Sequence, residues 1–140
     1  MSRYSFPKRE HIVSKKLIDQ LFNGTSSHSL AAFPLRAVYM LQPRPDGAPA
    51  VQVLFSVSKR HFKHAVDRNR VKRQLREAYR LQAMDFRLQN TDERLQTADN
   101  GQQNMQLCMA FIWLGDRLVP STIVHARMKN LLKRIAEKIA

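Results

Sequence analysis

The spacing of apolar residues along the chain predicts three helices. Ser14 is a plausible N-cap for the first helix, which should end at Phe22, with Gly24 just beyond it as a stop signal. A second helix is expected from about Asp67 and a third from near residue 120. One face of the third helix is an apolar stripe formed by Val124, Met128, Leu131, Ile135 and Ile139.

Strict alternation of apolar and polar residues predicts strands between these helices. A strand is expected over 31–41, where Pro34 favours an edge position and one face carries Phe33, Leu35, Ala37 and Tyr39. The turn-forming residues 42–47 separate it from a half-buried strand with Val51, Val53, Phe55 and Val57 on one face. These two strands should pair as a hairpin, and a third strand is expected over 107–114.

The order of elements is α-β-β-α-β-α, with room for one further strand before the second helix. This order predicts an α+β fold, a single-domain α/β sandwich with helices packed against a sheet. A length of 140 residues suits one domain covering 1–140. Within it, the polar segment at about 87–106 is expected to be an insertion or mobile loop.

The charge balance indicates a polyanionic partner. The chain has 24 lysines and arginines against 11 acids, a formal net charge of +13. Nucleic acid is the usual partner of such an excess. Cys108, the single cysteine, lies in an apolar run and should be buried, so no disulfide can form within the chain. No signal peptide or membrane span is evident, which favours the cytoplasm and no membrane partner.

The positive charge is concentrated between residues 59 and 80. This segment of 22 residues holds nine lysines and arginines and two acids. On a helix, an i, i+4 row of four cations forms, flanked by Asn69 and Arg73; the row is Arg68, Lys72, Arg76 and Arg80. The other side of this helix gathers apolar residues that can face the sheet: Val71, Leu75, Ala78 and Tyr79. Each like-charge step costs roughly 0.2–0.5 kcal/mol in an isolated helix, and a pair of Arg73 with Glu77 offsets this only in part. A phosphate backbone turns this repulsion into affinity, so the segment predicts RNA binding.

A catalytic role for the polypeptide has little support in the sequence. His61 and His64 lie among cations, with no obvious carboxylate partner beyond Asp67. The chain lacks a carboxylate cluster for two metal ions, a zinc-ligand spacing and a glycine-rich phosphate loop. We therefore expect no catalytic residue, metal site or cofactor in this chain.

Three stretches resemble one known family. They are Phe55-Ser-Val-Ser-Lys-Arg60, Ala65-Val-Asp-Arg-Asn-Arg-Val-Lys-Arg73 and Arg76-Glu-Ala-Tyr-Arg80. Together they are similar to the signature of the bacterial ribonuclease P protein component, whose helix with the Arg-Asn-Arg motif is its most specific feature. The opening Phe6-Pro-Lys-Arg9 and the first helix also resemble that family.

The resemblance implies a division of labour between protein and RNA. A catalytic RNA cleaves precursor tRNA with magnesium that the RNA positions, while the protein binds that RNA and the 5′ leader of the precursor. It also implies a left-handed β-α-β crossover and no obligate protein partner.

The expected contact residues fall into two groups. RNA-binding residues, from the resemblance and the charge cluster together, are Lys59, Arg60, Lys63, Arg68, Asn69, Arg70, Lys72, Arg73, Arg76 and Arg80. By resemblance, the leader would bind Phe22 and an exposed aromatic on the first strand, Tyr39 or Phe33. Two alternatives remain open: a ribosomal or other structural RNA-binding protein, and a protein nuclease that acts without RNA.

Overall fold

A four-stranded sheet forms the centre of the molecule. The computed structural model describes residues 15–24, 27–43, 51–58, 60, 62–86 and 105–139. The strands are β1 (His28–Ala32), β2 (Leu35–Pro43), β3 (Val51–Val57) and β4 (Met105–Trp113), and the helices are α1 (Lys15–Asn23), α2 (Ala65–Phe86) and α3 (Ser121–Ile139). The strand order is β1-β2-β4-β3, with β3 and β4 parallel and the other neighbours antiparallel. The predicted α+β class is confirmed.

The strand expected over 31–41 is two strands joined by a tight turn. β1 ends at Ala32, Phe33 and Pro34 form the turn, and β2 begins at Leu35. β2 lies inside the sheet between β1 and β4, so the edge position expected for this strand is wrong. A proline has no N–H for a strand ladder, and here the chain meets that restriction by turning at Pro34.

The expected hairpin between the 31–41 and 51–57 segments does not form. β2 and β3 instead flank β4, where Leu35 and Val57 are both register partners of Trp113. The run from Leu107 to Phe111 is buried at every residue, and a strand buried on both faces belongs in the interior of a sheet. The chain therefore passes from β3 through α2 to a parallel β4.

The two faces of the sheet carry different helices. On what we call the helix-pair face, α2 and α3 cover the larger core, which includes Tyr39, Phe111 and Trp113. On the other side, the α1 face, Leu21 packs with Val38, Met40, Cys108 and Ala110. Burial of Cys108 is confirmed, and it raises the pKa of the thiol to about 12.

The ends of the elements are close to those expected. α1 ends at Asn23, where the amide of Gly24 donates to the carbonyl of Gln20 (3.0 Å). A Cβ on Gly24 would lie 2.4 Å from that same oxygen, so a side chain would force the chain end to shift. α2 begins two residues before Asp67. Met105 and Gln106, assigned to the polar insertion by sequence, belong to β4. Ser14 and residues 87–104 lie outside the described residues.

The predicted apolar face of α2 is confirmed, as is that of α3 at four of its five positions; the side chain of the fifth, Ile139, lies outside what the structure describes. Val71, Leu75, Ala78 and Tyr79 of α2 are fully buried, as are Val124, Met128, Leu131 and Ile135 of α3. Burial of one leucine-sized side chain contributes about 1.5–3 kcal/mol, so these faces fix the rotation of each helix about its axis. The Nε2 atom of Gln74 also joins the helices, by donating to Val119 O (2.9 Å) and Ser121 Oγ (3.2 Å).

Candidate nucleic-acid interface

One end of the sheet collects the features that the sequence predicted to bind RNA. Val57 of β3, Trp113 of β4 and Leu35 of β2 lie in register at that end. Three connections therefore meet there: the 33–34 turn, the 114–120 segment before α3, and residues 58–64, which lead from β3 into α2. We call residues 58–64 the basic segment. Adjacent strands are about 4.8 Å apart, so these three connections lie close enough together to contact one RNA molecule.

The basic segment before α2 is organised by its own hydrogen bonds. Ser58 Oγ accepts from the amide of Arg60 (3.0 Å), and the amide of Phe62 donates to Ser58 O (3.4 Å). Phe62 is buried against the larger core. Arg60 is exposed between these anchors, and Lys63 and His64 are exposed directly after Phe62, whereas Lys59 and His61 lie outside the described residues.

The cations of α2 differ in exposure. Arg70, Arg73 and Arg76 are exposed, as is Asn69, and the side chains of these arginines make no hydrogen bond or ion pair with any residue that the structure describes. Arg68, Lys72 and Arg80 are half-buried. The i, i+4 row thus has one exposed member, Arg76, and three half-buried ones. The most exposed positive charge belongs to Arg70, Arg73 and Arg76, which we call the arginine trio.

Two arginines of α2 bind other parts of the protein. Arg68 Nη1 donates to the carbonyl oxygens of Phe62 (2.8 Å) and Lys63 (3.0 Å). Arg80 forms an ion pair with Glu77, with Nε 3.1 Å from Oε2. The hydrogen bond and charge of Arg80 hold the pKa of the Glu77 carboxyl below its usual value, with a smaller contribution from His125 of α3. The sequence had suggested Arg73 as the partner of Glu77.

The three candidate aromatic residues have very different environments. Phe33 is 68% exposed and Phe22 is 42% exposed, but Tyr39 is only 5% exposed. Tyr39 packs in the larger core on the helix-pair face, with its ring centroid 5.4 Å from that of His28, and burial raises the pKa of its hydroxyl. It therefore lies on the opposite side of the sheet from α1 and Phe22. The structure favours Phe33 over Tyr39 as the exposed aromatic.

The turn that carries Phe33 is fixed by residues that are distant in sequence. Arg127 Nε of α3 donates to the carbonyl of Phe33 (3.0 Å), and the amide of Leu114 donates to that of Pro34 (2.7 Å). Gly115 lies beside the ring, since a Cβ built on it would be 3.6 Å from Phe33 Cζ. Sequence reasoning missed Arg127, because a contact across 94 residues leaves no local pattern.

Two features that the described residues lack bear on other classes of protein. No described helix is long and apolar enough to cross a membrane. Within the same part of the chain, no three histidine, cysteine, aspartate or glutamate side chains lie close enough to share a metal ion.

Known proteins similar to this chain all point to one family. The sequence model of the family described as Ribonuclease P matches residues 6–109. The ribonuclease P protein component of Porphyromonas gingivalis is 30% identical over 136 residues, which cover 97% of this chain and 90% of that protein. The one from Chlorobium phaeobacteroides is 46% identical over 79 residues, or 54% of this chain and 52% of that protein.

A solved structure agrees on the fold. The RNase P protein of Staphylococcus aureus superposes with a TM-score of 0.60 at 15% sequence identity, over 90% of this chain and 94% of that one. At this identity the likeness concerns the fold alone. The matched sequence model covers well over half of the chain and includes the whole basic segment and the arginine trio. The chain therefore belongs to the ribonuclease P protein component family.

Proposed function

We propose that this ribonuclease P protein component binds the RNA subunit of ribonuclease P through the arginine trio and the basic segment before α2. In this proposal it also binds the 5′ leader of precursor tRNA through exposed aromatic side chains, while the RNA subunit cleaves the leader. The observation that carries the proposal is the exposure of Arg70, Arg73 and Arg76 on a helix whose opposite face is fully buried.

The arginine trio is better suited to phosphate binding than to stabilising the fold. Its guanidinium groups have no partner among the described side chains and crowd one another on one helix, which costs folding free energy. The buried face fixes which side of α2 meets solvent, so the three arginines stay on its exposed side. A phosphate backbone would neutralise these charges and release its condensed counterions, so the repulsion in the free protein becomes affinity in the complex.

Leader binding is assigned to Phe33 and Phe22. An unpaired base gains roughly 1–3 kcal/mol by stacking on an aromatic side chain. Phe33 exposes most of its ring at the end of the sheet where the basic segment begins, and hydrogen bonds from α3 and β4 hold its turn. Support for Tyr39 is weak, because its buried ring offers no free face.

The chemistry is assigned to the RNA together with magnesium. Magnesium prefers oxygen ligands and is commonly held by carboxylates and phosphates. Over residues 65–82 of α2, where the structure describes the side chains, the acids are Asp67 and Glu77, and Glu77 already pairs with Arg80. This donor set does not fit a protein-held metal, so the proposal routes no catalytic step through the chain's own side chains.

The test compares protein alone with the reconstituted complex. Purified protein, treated with nuclease and repurified, is incubated with magnesium and a precursor tRNA, with or without the RNase P RNA of the same organism. We expect cleavage at the mature 5′ end only when that RNA is present. Site-specific cleavage by the RNA-free protein would contradict the proposal and favour a protein nuclease.

A second measurement addresses the structural RNA-binding alternative. Tagged protein is captured from cells of the source organism and its RNA is sequenced. We expect one abundant structured RNA together with precursor tRNAs. Enrichment of ribosomal RNA without precursor tRNA would instead identify a ribosomal protein.

A further inference from the structure

Arg68 differs from its neighbour Arg70 in what its guanidinium contacts. Arg68 is half-buried, and its Nη1 atom donates to two consecutive backbone carbonyls, those of Phe62 and Lys63. Arg70 is exposed, and its side chain makes no hydrogen bond or ion pair with a described residue. Of the two arginines in the Arg-Asn-Arg motif, the structure thus shows only the first bonded to the fold.

The carbonyls that Arg68 binds belong to the last residues before α2. Phe62 is anchored in the core, and α2 begins at Ala65. Between Phe62 and Ala65, the structure shows hydrogen bonds from Arg68. Two come from its side chain, and the third runs from its amide to His64 O (3.2 Å). Arg68 therefore holds both ends of a short turn formed by Phe62, Lys63 and His64, which we call the entry turn.

The chemistry of these bonds favours a fixed geometry. A hydrogen bond from a charged guanidinium to a carbonyl is shorter and stronger than one between neutral groups. Because both bonds use the same nitrogen, both hydrogens of Nη1 are committed to the protein. Lys63 and His64, whose backbone is held in this way, remain exposed.

We infer that Arg68 is a positioning residue: it shapes the entry turn so that Lys63 and His64 meet the RNA, while the arginine trio binds phosphates directly. This inference rests on the proposed RNA-binding function. It assigns the first arginine of the motif to preorganisation of the interface and the second to direct contact.

A double-mutant cycle tests this assignment. The affinity for the RNase P RNA of the same organism is measured as a function of salt for Arg68→Ala, Lys63→Ala and the double variant. Lys63→Ala alone should weaken binding about threefold to tenfold and lower the log–log salt slope by about one unit, as expected for one lost phosphate contact. In the Arg68→Ala background, Lys63→Ala should change affinity less than about twofold, because the turn is no longer held.

Arg70→Ala is the matched control. It removes the same charge two residues away but leaves the entry turn intact, so Lys63→Ala should keep its full effect in that background. If the effects of Arg68→Ala and Lys63→Ala are simply additive, and Arg68→Ala lowers the salt slope as much as Arg70→Ala does, Arg68 is a direct phosphate ligand and the inference is wrong.

A measurement on the free protein separates this inference from the proposed function. In Arg68→Ala, backbone NMR order parameters at Lys63 and His64 should fall from about 0.85 to below about 0.6, and in Arg70→Ala they should not change. Arg68→Gln provides a second variant in case Arg68→Ala does not fold. Unchanged order parameters in the Arg68 variants would overturn the positioning role whether or not the protein binds RNA. Failure of the wild-type protein to bind this RNA would instead refute the proposed function.

Discussion

Helices α2 and α3 lie together on one face of the sheet and both carry many cations, but they use them differently. On α3, Arg127 donates to the carbonyl of Phe33 and Arg134 to that of Ala31 (2.8 Å), so both guanidinium groups fasten the helix to the β1–β2 hairpin. On α2, the side chains of the arginine trio form no hydrogen bond or ion pair with a described residue. Cationic charge on a helix therefore indicates a binding surface only where the guanidinium groups have no partner within the fold.

The difference has a structural cause. β1 is at the edge of the sheet, and a strand edge presents unpaired carbonyls that need partners. α3 runs beside that edge, so its arginines find acceptors there. α2 packs on β3, the other edge strand, through its buried face, and the arginine trio lies on the exposed side of the helix. Its one ion pair among the described residues is formed within the helix, between Glu77 and Arg80.

The largest effect is expected from removing the arginine trio. Replacement of Arg70, Arg73 and Arg76 by alanine should weaken binding to RNase P RNA on the order of 100-fold near physiological salt and lower the salt slope by about two to three units. The melting temperature should stay constant or rise, because like charges are removed and no buried contact is lost. Salt titrations of binding and thermal melts of the same variant provide the measurement. A clear loss of stability with an unchanged slope would show that the trio supports the fold.

The opposite result is expected for α3. Arg127→Ala together with Arg134→Ala should lower the free energy of unfolding by about 2 kcal/mol, since each charged hydrogen bond to a carbonyl is worth about 1 kcal/mol or more at a partly exposed site. RNA affinity should fall much less than with the trio variant. Denaturant unfolding checks this expectation. Lys129→Ala with Lys133→Ala is the control, because it removes the same charge from exposed positions of the same helix. Equal destabilisation by both pairs would argue against the carbonyl contacts.

Sequence patterns were sufficient for the helices but not for the strand order. The apolar face of α2 and that of α3 follow from helical periodicity alone, and both are buried as expected. The hairpin prediction failed because alternation specifies which side chains share a face and not which strands become neighbours. The central position of β4 depends on the whole sheet, and so does the turn at Pro34.

The sequence predicted which residues form the candidate site, but not which of them are exposed and which bond to the fold. The charge cluster identified α2, but nothing local distinguishes Arg68, which bonds to backbone carbonyls, from Arg70, which is exposed. Likewise, Phe33 and Tyr39 were equivalent by alternation, yet one lies in an exposed turn and the other in the core. These differences arise from contacts whose partners the periodicity of a single element cannot specify.

The hairpin that α3 secures gives the next prediction. Phe33→Ala should weaken binding of precursor tRNA to the reconstituted complex by about tenfold, because one base loses its stacking partner, and should leave mature tRNA binding unchanged. Since Phe33 is largely exposed, stability should change little. Binding of both tRNAs to complexes assembled with wild-type and variant protein is measured. Tyr39→Ala is the contrasting variant: we expect it to lower stability without weakening precursor tRNA binding more than mature tRNA binding. Equal losses for precursor and mature tRNA in Phe33→Ala would remove Phe33 from the leader site.

The smallest effect concerns the one arginine of α2 that pairs within its own helix. Glu77→Gln removes a negative charge from the surface that carries the trio and eliminates the ion pair with Arg80, so RNA affinity should rise about twofold to fivefold with a slightly steeper salt dependence. The pair is exposed, and exposed ion pairs contribute little to stability, so the melting temperature at neutral pH should hardly change.

The pH dependence of the same variant gives an independent check. Because the pKa of Glu77 is lowered in the folded protein, by its bond to Arg80 first, the pair contributes stability above the unfolded value of 4.5 and loses it as the pH falls through the lowered folded value. Wild-type protein should therefore lose slightly more stability than Glu77→Gln between pH 6 and pH 3. An affinity for RNA that falls in Glu77→Gln would mean that the carboxylate orients Arg80 toward the RNA. In that case, α2 would use an internal pair to position a cation, as α3 uses backbone carbonyls to hold the hairpin.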